Sequence, residues 1–377
     1  MKVTLFDRTT IDSLQWLTEP NSEKLKGFLD PLVKNGVKGY IDNVDADVYA
    51  LQVESITLPV VVVNDNYTNS YVCSLYGHYI SQALETDLIT NKFLKKISRG
   101  FSKGLGKVSR KAKINSVVFV NNWLSATDTY PANLNKGHVA AILSTLTNRF
   151  PRHAIVFRSL NQQINGSLIH DIESLGCHLI ASRKVYINDT KKDLAFRKRD
   201  TKRDIKLMGE SPFSIVDGSE VAPADHERLL ELYRKLYISH HTTLNPQFNL
   251  AFFQMMLKSG FMGFKIVKQY DKIEGMAAYY EQDGVLVTPL IGLDKTHPQQ
   301  GEIYQILCLS ILLEAKKRNL VWHQSSGASV YKKNRGAEGH LESMAVYSDH
   351  LPIERRLFWR GFKRFINTFA VPFMEKY

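Results

Sequence analysis

The sequence predicts an α/β (α+β) chain built in two similar halves, and three observations predict it. Short β-branched runs alternate with helix-period runs along the 377 residues. The alternation pauses near a second basic segment and then starts again, so 1–190 and 191–377 read as two domains of ordinary size. The longest apolar stretches, near Leu58–Val63 and Ile306–Leu313, have strand or buried-helix length, far short of a membrane span.

The elements follow in order. Ser22 to Leu32 reads as a short helix ended near Pro31. Asp42 to Tyr49 has a passing likeness to calcium-loop spacing, but lacks its glycine and closing glutamate, and reads as an acidic turn. Ile56–Asn64 and Tyr71–Tyr76 read as strands, the second leading into a helix through Leu84. Lys92 to Lys113 carries nine basic residues and no acid, with Leu94, Ile97, Phe101, Leu105 and Val108 at helical steps. Strand, helix, strand, helix, strand follow at Ile114–Val120, Asn135–Phe150, Ala154–Leu160, Ile164–Leu175 and Cys177–Ile187. Leu194 to Gly209 is a second basic helix, laced with Asp200 and Asp204 at ion-pair spacing. Phe213–Val216 is a strand, Asp225–His240 and Leu250–Lys258 are helices, and Phe264–Val267 and Gly275–Glu281 are strands. The tail, Ile353–Tyr377, is an amphipathic helix with a stripe of Phe358, Phe362, Phe365, Ile366, Phe369 and Phe373.

A net charge of +12 favours polyanions: nucleic acid, anionic lipid, phosphorylated cofactors or an acidic carrier protein. The N-terminus lacks the apolar region of a signal peptide, and the three cysteines, Cys73, Cys177 and Cys308, form neither metal spacing nor a disulfide framework. Buried thiols in a reducing cytoplasm follow, and no metal site is expected. There is no P-loop, no dinucleotide-binding fingerprint and no Gly-x-Ser-x-Gly.

One stretch concentrates the chemistry. Gly284–Asp294 is an apolar strand with Pro289 inside it, which cannot join a sheet ladder and should open the strand there. The turn Lys295–Gly301 leads into a long helix, Glu302–Arg318. A helix start leaves unpaired N–H groups that suit phosphate, and Gln299, Gln300 and Gly301 let a ligand approach the backbone. A pantetheine arm ending in pyrophosphate would fit slot and helix end together. The stretch closes on the strand Leu320–His323 and a basic loop, Ser325–Ala337.

Several motifs resemble a known superfamily. Arg197–Gly209 before Phe213–Val216 is similar to the basic helix that opens the second half of FemAB-like proteins. Leu229–Tyr237 with His240–Pro246 resembles the helix and loop after it. Gly284–Asp294 with Gly301–Lys317 looks like the acyl-donor motif of the GNAT (acyl-CoA N-acyltransferase) superfamily, and Tyr331-Lys332…Gly336 resembles the aromatic-Lys…Gly element near the end of that fold. The resemblance covers roughly 191–350 and the first half in outline. It implies two tandem GNAT-like domains, each a mixed twisted sheet flanked by helices, as in FemAB-like and BioF2-like proteins. Glu302 departs from the small residue usual in the donor loop, which leaves room for an acyl carrier protein or aminoacyl-tRNA as donor.

The activity so implied is transfer of an acyl group from a thioester, acyl-CoA or the phosphopantetheine of an acyl carrier protein, to an amine. The thioester is a co-substrate, with no cofactor tightly bound. Acyl transfer needs a proton acceptor for the amine, stabilisation of an oxyanion and a proton for the leaving group. His323 is the candidate base. Tyr304 and Tyr331 are candidate proton donors, and Lys332 and Arg335 can bind phosphate or the oxyanion. Thr288, Leu290, Gln299, Gln300 and Gly301 form the donor slot, and His240 and His241 the acceptor pocket. The alternatives are a FemAB-type aminoacyl-tRNA-dependent transferase acting on a peptidoglycan-like or small amine, and a GNAT-like protein that only binds. Candidate partners are thus an amine, an acyl carrier protein, tRNA, and an anionic membrane met through Lys92–Lys113 or Ile353–Tyr377 at the inner face.

Overall fold

The computed structural model describes residues 1–16, 20–82 and 104–376. Among them twelve strands make one sheet, ordered β1-β2-β3-β4-β5-β12-β6-β11-β10-β9-β8-β7. The first half contributes β1 (Val3–Phe6), β2 (Asp47–Val53), β3 (Ile56–Asn64), β4 (Ser116–Val120), β5 (Ala154–Asn161) and β6 (His178–Asp189). The second contributes β7 (Ser214–Asp217), β8 (Gly263–Gln269), β9 (Lys272–Gln282), β10 (Val285–Leu293), β11 (Val321–His323) and β12 (Glu338–Tyr347).

The halves share one plan. In each, four antiparallel strands lead into a parallel pair, β4 with β5 and β10 with β11. The sixth strands are exchanged. β12 of the second half pairs with β5 of the first, β6 of the first pairs with β11 of the second, and β6 and β12 pair with each other. The sheet therefore runs unbroken through the middle of the molecule.

The principal helices are α1 (Pro20–Asn35), α2 (Lys136–Arg149), α3 (Gln162–Ser174), α4 (Arg199–Glu210), α5 (His226–Tyr233), α6 (Leu250–Ser259), α7 (Gln300–Lys317), α8 (Ser329–Asn334), α9 (Ile353–Phe369) and α10 (Val371–Lys376). Strand alternation sends side chains to opposite faces of the sheet. Val61 and Val63 join one core that spans both halves and takes in Phe28, Met256 and Trp359. Val60 and Val62 face α2 and α3, while Leu286 faces α7, giving each half its own core on the other side.

Four local expectations are corrected. α1 does not end at Pro31 but carries it inside and runs to Asn35. Phe28, Leu29, Leu32 and Val33 are buried on that helix, and their burial outweighs the roughly 3 kcal/mol of an internal proline. Tyr71–Cys73 is a 3-10 turn, not a strand. The basic stretch after 194 breaks at Lys198, which is extended. Ser325–Ala337 is not a plain loop, because α8 forms within it.

The predicted helix Lys92–Lys113 lies in part outside the described residues; 104–111 is helical. The tail packs onto the sheet through Trp359, Phe362 and Ile366, leaves Phe369 and Phe373 exposed, and splits at Ala370 into α9 and α10. No helix among the described residues is long and apolar enough to cross a membrane.

Candidate functional site

The site starts from one irregular strand. β10 pairs with β9 in register up to Val287, then skips to Leu290, so Thr288 and Pro289 bulge out of the ladder. On its other edge β10 pairs with β11 only through Val285–Val287, and β11 stops at His323. The sheet parts there, and a cleft of about 570 Å³ opens at the parting. Its second-half wall includes Thr288, Ile291, Tyr304, Cys308, Trp322 and Lys332. Tyr71, His78, Ser182 and Arg183 of the first half line the other side, and Tyr237, His241 and Thr242 lie along the rim.

At the mouth stands the start of α7. Gln300 and Gly301 line the cleft, and the N-cap residue Gln299 makes no side-chain cap. The Gln300 amide is taken up by the His297 carbonyl at 3.0 Å, but no side chain caps the positive end of this 18-residue helix, which faces the opening. Glu302 is turned aside: its carboxylate accepts hydrogen bonds from Ser211 Oγ at 2.7 Å and from the Gln299 amide at 3.1 Å. Lys295 adds an exposed cation at the same mouth.

Inside, Thr288 Oγ1 accepts the indole N–H of Trp322 at 2.8 Å, which leaves the hydroxyl proton for a ligand oxygen. Tyr304 packs edge-on to Tyr331 at 5.0 Å between ring centres. Burial raises the Cys308 thiol to about 11 against the lowering pull of the Tyr304 and Tyr331 hydroxyls, so it stays protonated. Lys332 is 6% exposed and buried with its charge, which brings its pKa down to about 7. Its Nζ donates to the carbonyls of Gln324 and Ser326, both at 2.7 Å, and so ties down the loop that forms one cleft wall.

Of the sequence candidates, the structure brings Thr288, Gln300, Gly301, Tyr304, Lys332 and His241 to the cleft. The others lie elsewhere. Trp322 faces the cleft, so strand alternation turns its neighbour His323 away. His323 is 1% exposed, its Nδ1 accepts from the Ser325 N–H, and burial lowers its pKa to about 3. It does not face the slot as the sequence reading had it. Leu290 is buried in the core shared by both halves. The Gln299 amide is engaged with Glu302, and His240 is exposed outside the cleft. The Tyr331 hydroxyl sits behind the cleft against Cys308 without a well-formed hydrogen bond. Arg335 stacks on the Tyr331 ring at 3.6 Å and pairs with Asp204 at 2.9 Å, so its guanidinium is taken up in holding α8 to α4.

Sequence reasoning missed Trp322, Cys308, Lys295 and the first-half wall. Trp322 was within reach, since alternation along β11 allows only one of Trp322 and His323 into the slot. Tyr71, His78 and Arg183 arrive from more than a hundred residues away in sequence and carry no local signal. No group of His, Cys, Asp and Glu among the described residues has a metal-binding arrangement.

No protein-family model matches the sequence, and no curated protein matches it. Among solved structures, FemX aligns over 95% of this chain and 99% of its own, with a TM-score of 0.53 at 8% identity. L-PGS from Bacillus licheniformis aligns over 62% of this chain and 79% of its own, with a TM-score of 0.45 at 9% identity. A tandem GNAT protein from the clavulanic acid biosynthesis pathway aligns over 92% and 100%, with a TM-score of 0.38 at 8% identity. The chain has the fold of FemX, with two similar halves in tandem and a C-terminal helix.

Proposed function

We propose that this tandem GNAT-like chain is an N-acyltransferase that moves an acyl group from a thioester to an amine. The observation that carries the reading is the parting of β10 from β11 beside an uncapped helix end. An extended pantetheine arm would lie along the freed edge of β10, and its phosphates would sit at Gln300, Gly301 and Lys295. The acyl carbonyl would then meet the Thr288 hydroxyl, already oriented by Trp322. The amine nitrogen attacks the carbonyl carbon, the C–N bond forms and the C–S bond breaks. His241, held below its ordinary pKa by desolvation and the adjacent His240, takes the amine proton. Tyr304 returns a proton to the departing thiolate. Lys332 acts by fixing the wall loop.

A second donor is favoured by a separate observation. Arg197, Arg199, Lys202, Arg203 and Lys206 alone line a shallow groove at the start of α4. Helix α4, which bears this groove, meets the start of α7 through Ser211 and Glu302. An aminoacyl-tRNA would lay its backbone there. Either donor belongs to the cytoplasm, where we place the reaction.

Full-length protein incubated with a thioester panel and small amines, and read by mass spectrometry, tests the first reading through the appearance of amides. Titration with aminoacylated tRNA tests the second. Its affinity should fall steeply between low and moderate salt, with a slope that shrinks in R199Q/R203Q. If neither donor yields product, the transfer reading falls and the chain is left as a GNAT-like protein that only binds.

A further inference from the structure

The first-half wall of the cleft holds hydrogen-bonding groups that no described residue uses. β6 and β12 slip register between Glu342 and Ser343, so Ser182 and Arg183 sit at a bulge. A bulge re-aims side chains, and here these two consecutive residues both line the cleft. The Arg183 guanidinium is held from one side. Nε donates to Glu342 Oε1 at 2.8 Å, and Nη2 donates to the Ala126 carbonyl at 2.6 Å and to Thr127 Oγ1 at 3.0 Å. Among the described residues Nη1 makes no hydrogen bond.

Beside it, Tyr71 is 7% exposed, and its hydroxyl has no hydrogen-bond partner among the described residues. The His78 ring lies 6.1 Å from the Tyr71 ring, and its Nε2 is fixed by Ser182 Oγ at 2.8 Å. The Nδ1 of His78 is buried with no partner among the described residues. The positive charge of Arg183 acts on both rings, and burial keeps His78 neutral, lowered to about 3.

We propose that this corner is the acceptor subsite, and that it takes the carboxylate of an amino acid or short peptide between Arg183 Nη1 and the Tyr71 hydroxyl. The proposal rests on the transfer reading above and names the class of amine. Two N–H donors and one O–H suit the two oxygens of a carboxylate. A phosphate dianion suits the corner less, because the Glu342 carboxylate already occupies the other edge of the same guanidinium. Bound this way, the acceptor spans from the first-half wall towards Thr288 on the second, where the acyl carbon would lie.

The test uses full-length protein and paired probes: alanine with alaninamide, lysine with lysinamide, phenylalanine with phenylalaninamide. Binding is read by ligand-observed NMR and transfer by mass spectrometry. The expected result is at least about tenfold tighter binding of the acid in one pair. Y71F should weaken the acid severalfold without touching the amide, and R183Q should abolish the preference. Should R183Q fail to fold by circular dichroism, Y71F decides. Acid and amide binding equally in every pair, or none binding at all, overturns the subsite, even where other amines are acylated. Acid-selective binding that vanishes in Y71F, with no transfer from any thioester, keeps the subsite and removes the transfer reading instead.

Discussion

The two parallel strand pairs occupy equivalent places in the two halves and have opposite fates. Past β10 and β11 the sheet opens into the cleft. Past β4 and β5 the corresponding place is filled by Arg158, which donates to the carbonyls of Val72 and Ser125 and pairs with Asp128 at 3.3 Å. Tyr130 closes over it with a hydrogen bond to the Arg158 carbonyl. The helix starts differ in the same sense. α2 has a full capping box, with Asn135 and His138 satisfying each other, whereas α7 has no side-chain cap. One fold thus yields a sealed half and an open one, and the difference lies in a handful of side chains. The open half gives up the stabilisation of a cap and a filled slot and keeps a cleft in their place.

The contrast can be broken at its strongest point by D128A. Removing Asp128 leaves Arg158 buried without its partner and should lower unfolding stability by about 3–5 kcal/mol in denaturant titration. Filling the open slot is the converse. Ile291 lines the cleft, and I291W should cut transfer at least about 100-fold while the thermal midpoint stays within a few degrees. A Cβ at Gly301 meets nothing within 4 Å, so G301E should fold normally. It places a carboxylate at the helix start and should raise the KM for a thioester about tenfold with little change in kcat.

Titration sharpens the comparison further, because both halves bury ionisable groups. His78 and His323 have folded values near 3, below the unfolded 6.5, so the stability they allow is whole above 6.5 and is lost as pH falls towards 3. Asp128, raised to about 6 by burial, acts in the opposite direction between 3.8 and 6. Of these three groups, two histidines against one aspartate leave a net loss of about one proton's linkage, about 1.4 kcal/mol per pH unit, over that window, and His153 and His350, also held low by burial, add to it. The thermal midpoint should therefore drop on acidification from 6.5 to 4, and H323Q should flatten the drop. The smallest effect is expected from N135A, which removes the cap of the sealed half. It should cost about 1 kcal/mol in stability and leave the thioester KM unchanged.

Much of this was legible in the residues. Hydrophobic period gave most strands and helices of both halves, and Pro289 followed by a helix start located the opened strand and the helix end beside it. It missed β1 and β2, where Asp42–Tyr49 reads as an acidic turn although β2 begins at Asp47. The other misses were non-local. The run Glu338–Tyr347 has no neighbour in sequence to mark it as a strand, because its partners are β5 and β6 of the other half. The same holds for Arg183, whose place on the cleft wall depends on a register slip between strands some 150 residues apart. Parity along a three-residue strand decided between Trp322 and His323, and a single step in that count exchanges the two.

The exchanged sixth strands also bear on how the chain comes off the ribosome. β5 is complete by Asn161, but the edge it must cover with β12 stays bare until Tyr347 has emerged. At ordinary synthesis speeds that is a delay of roughly ten to forty seconds, during which an apolar strand edge is open to other nascent chains. The first half cannot finish folding before the second is made, so cellular yield should depend on chaperones that shield unfinished sheets rather than on the stability of the finished molecule.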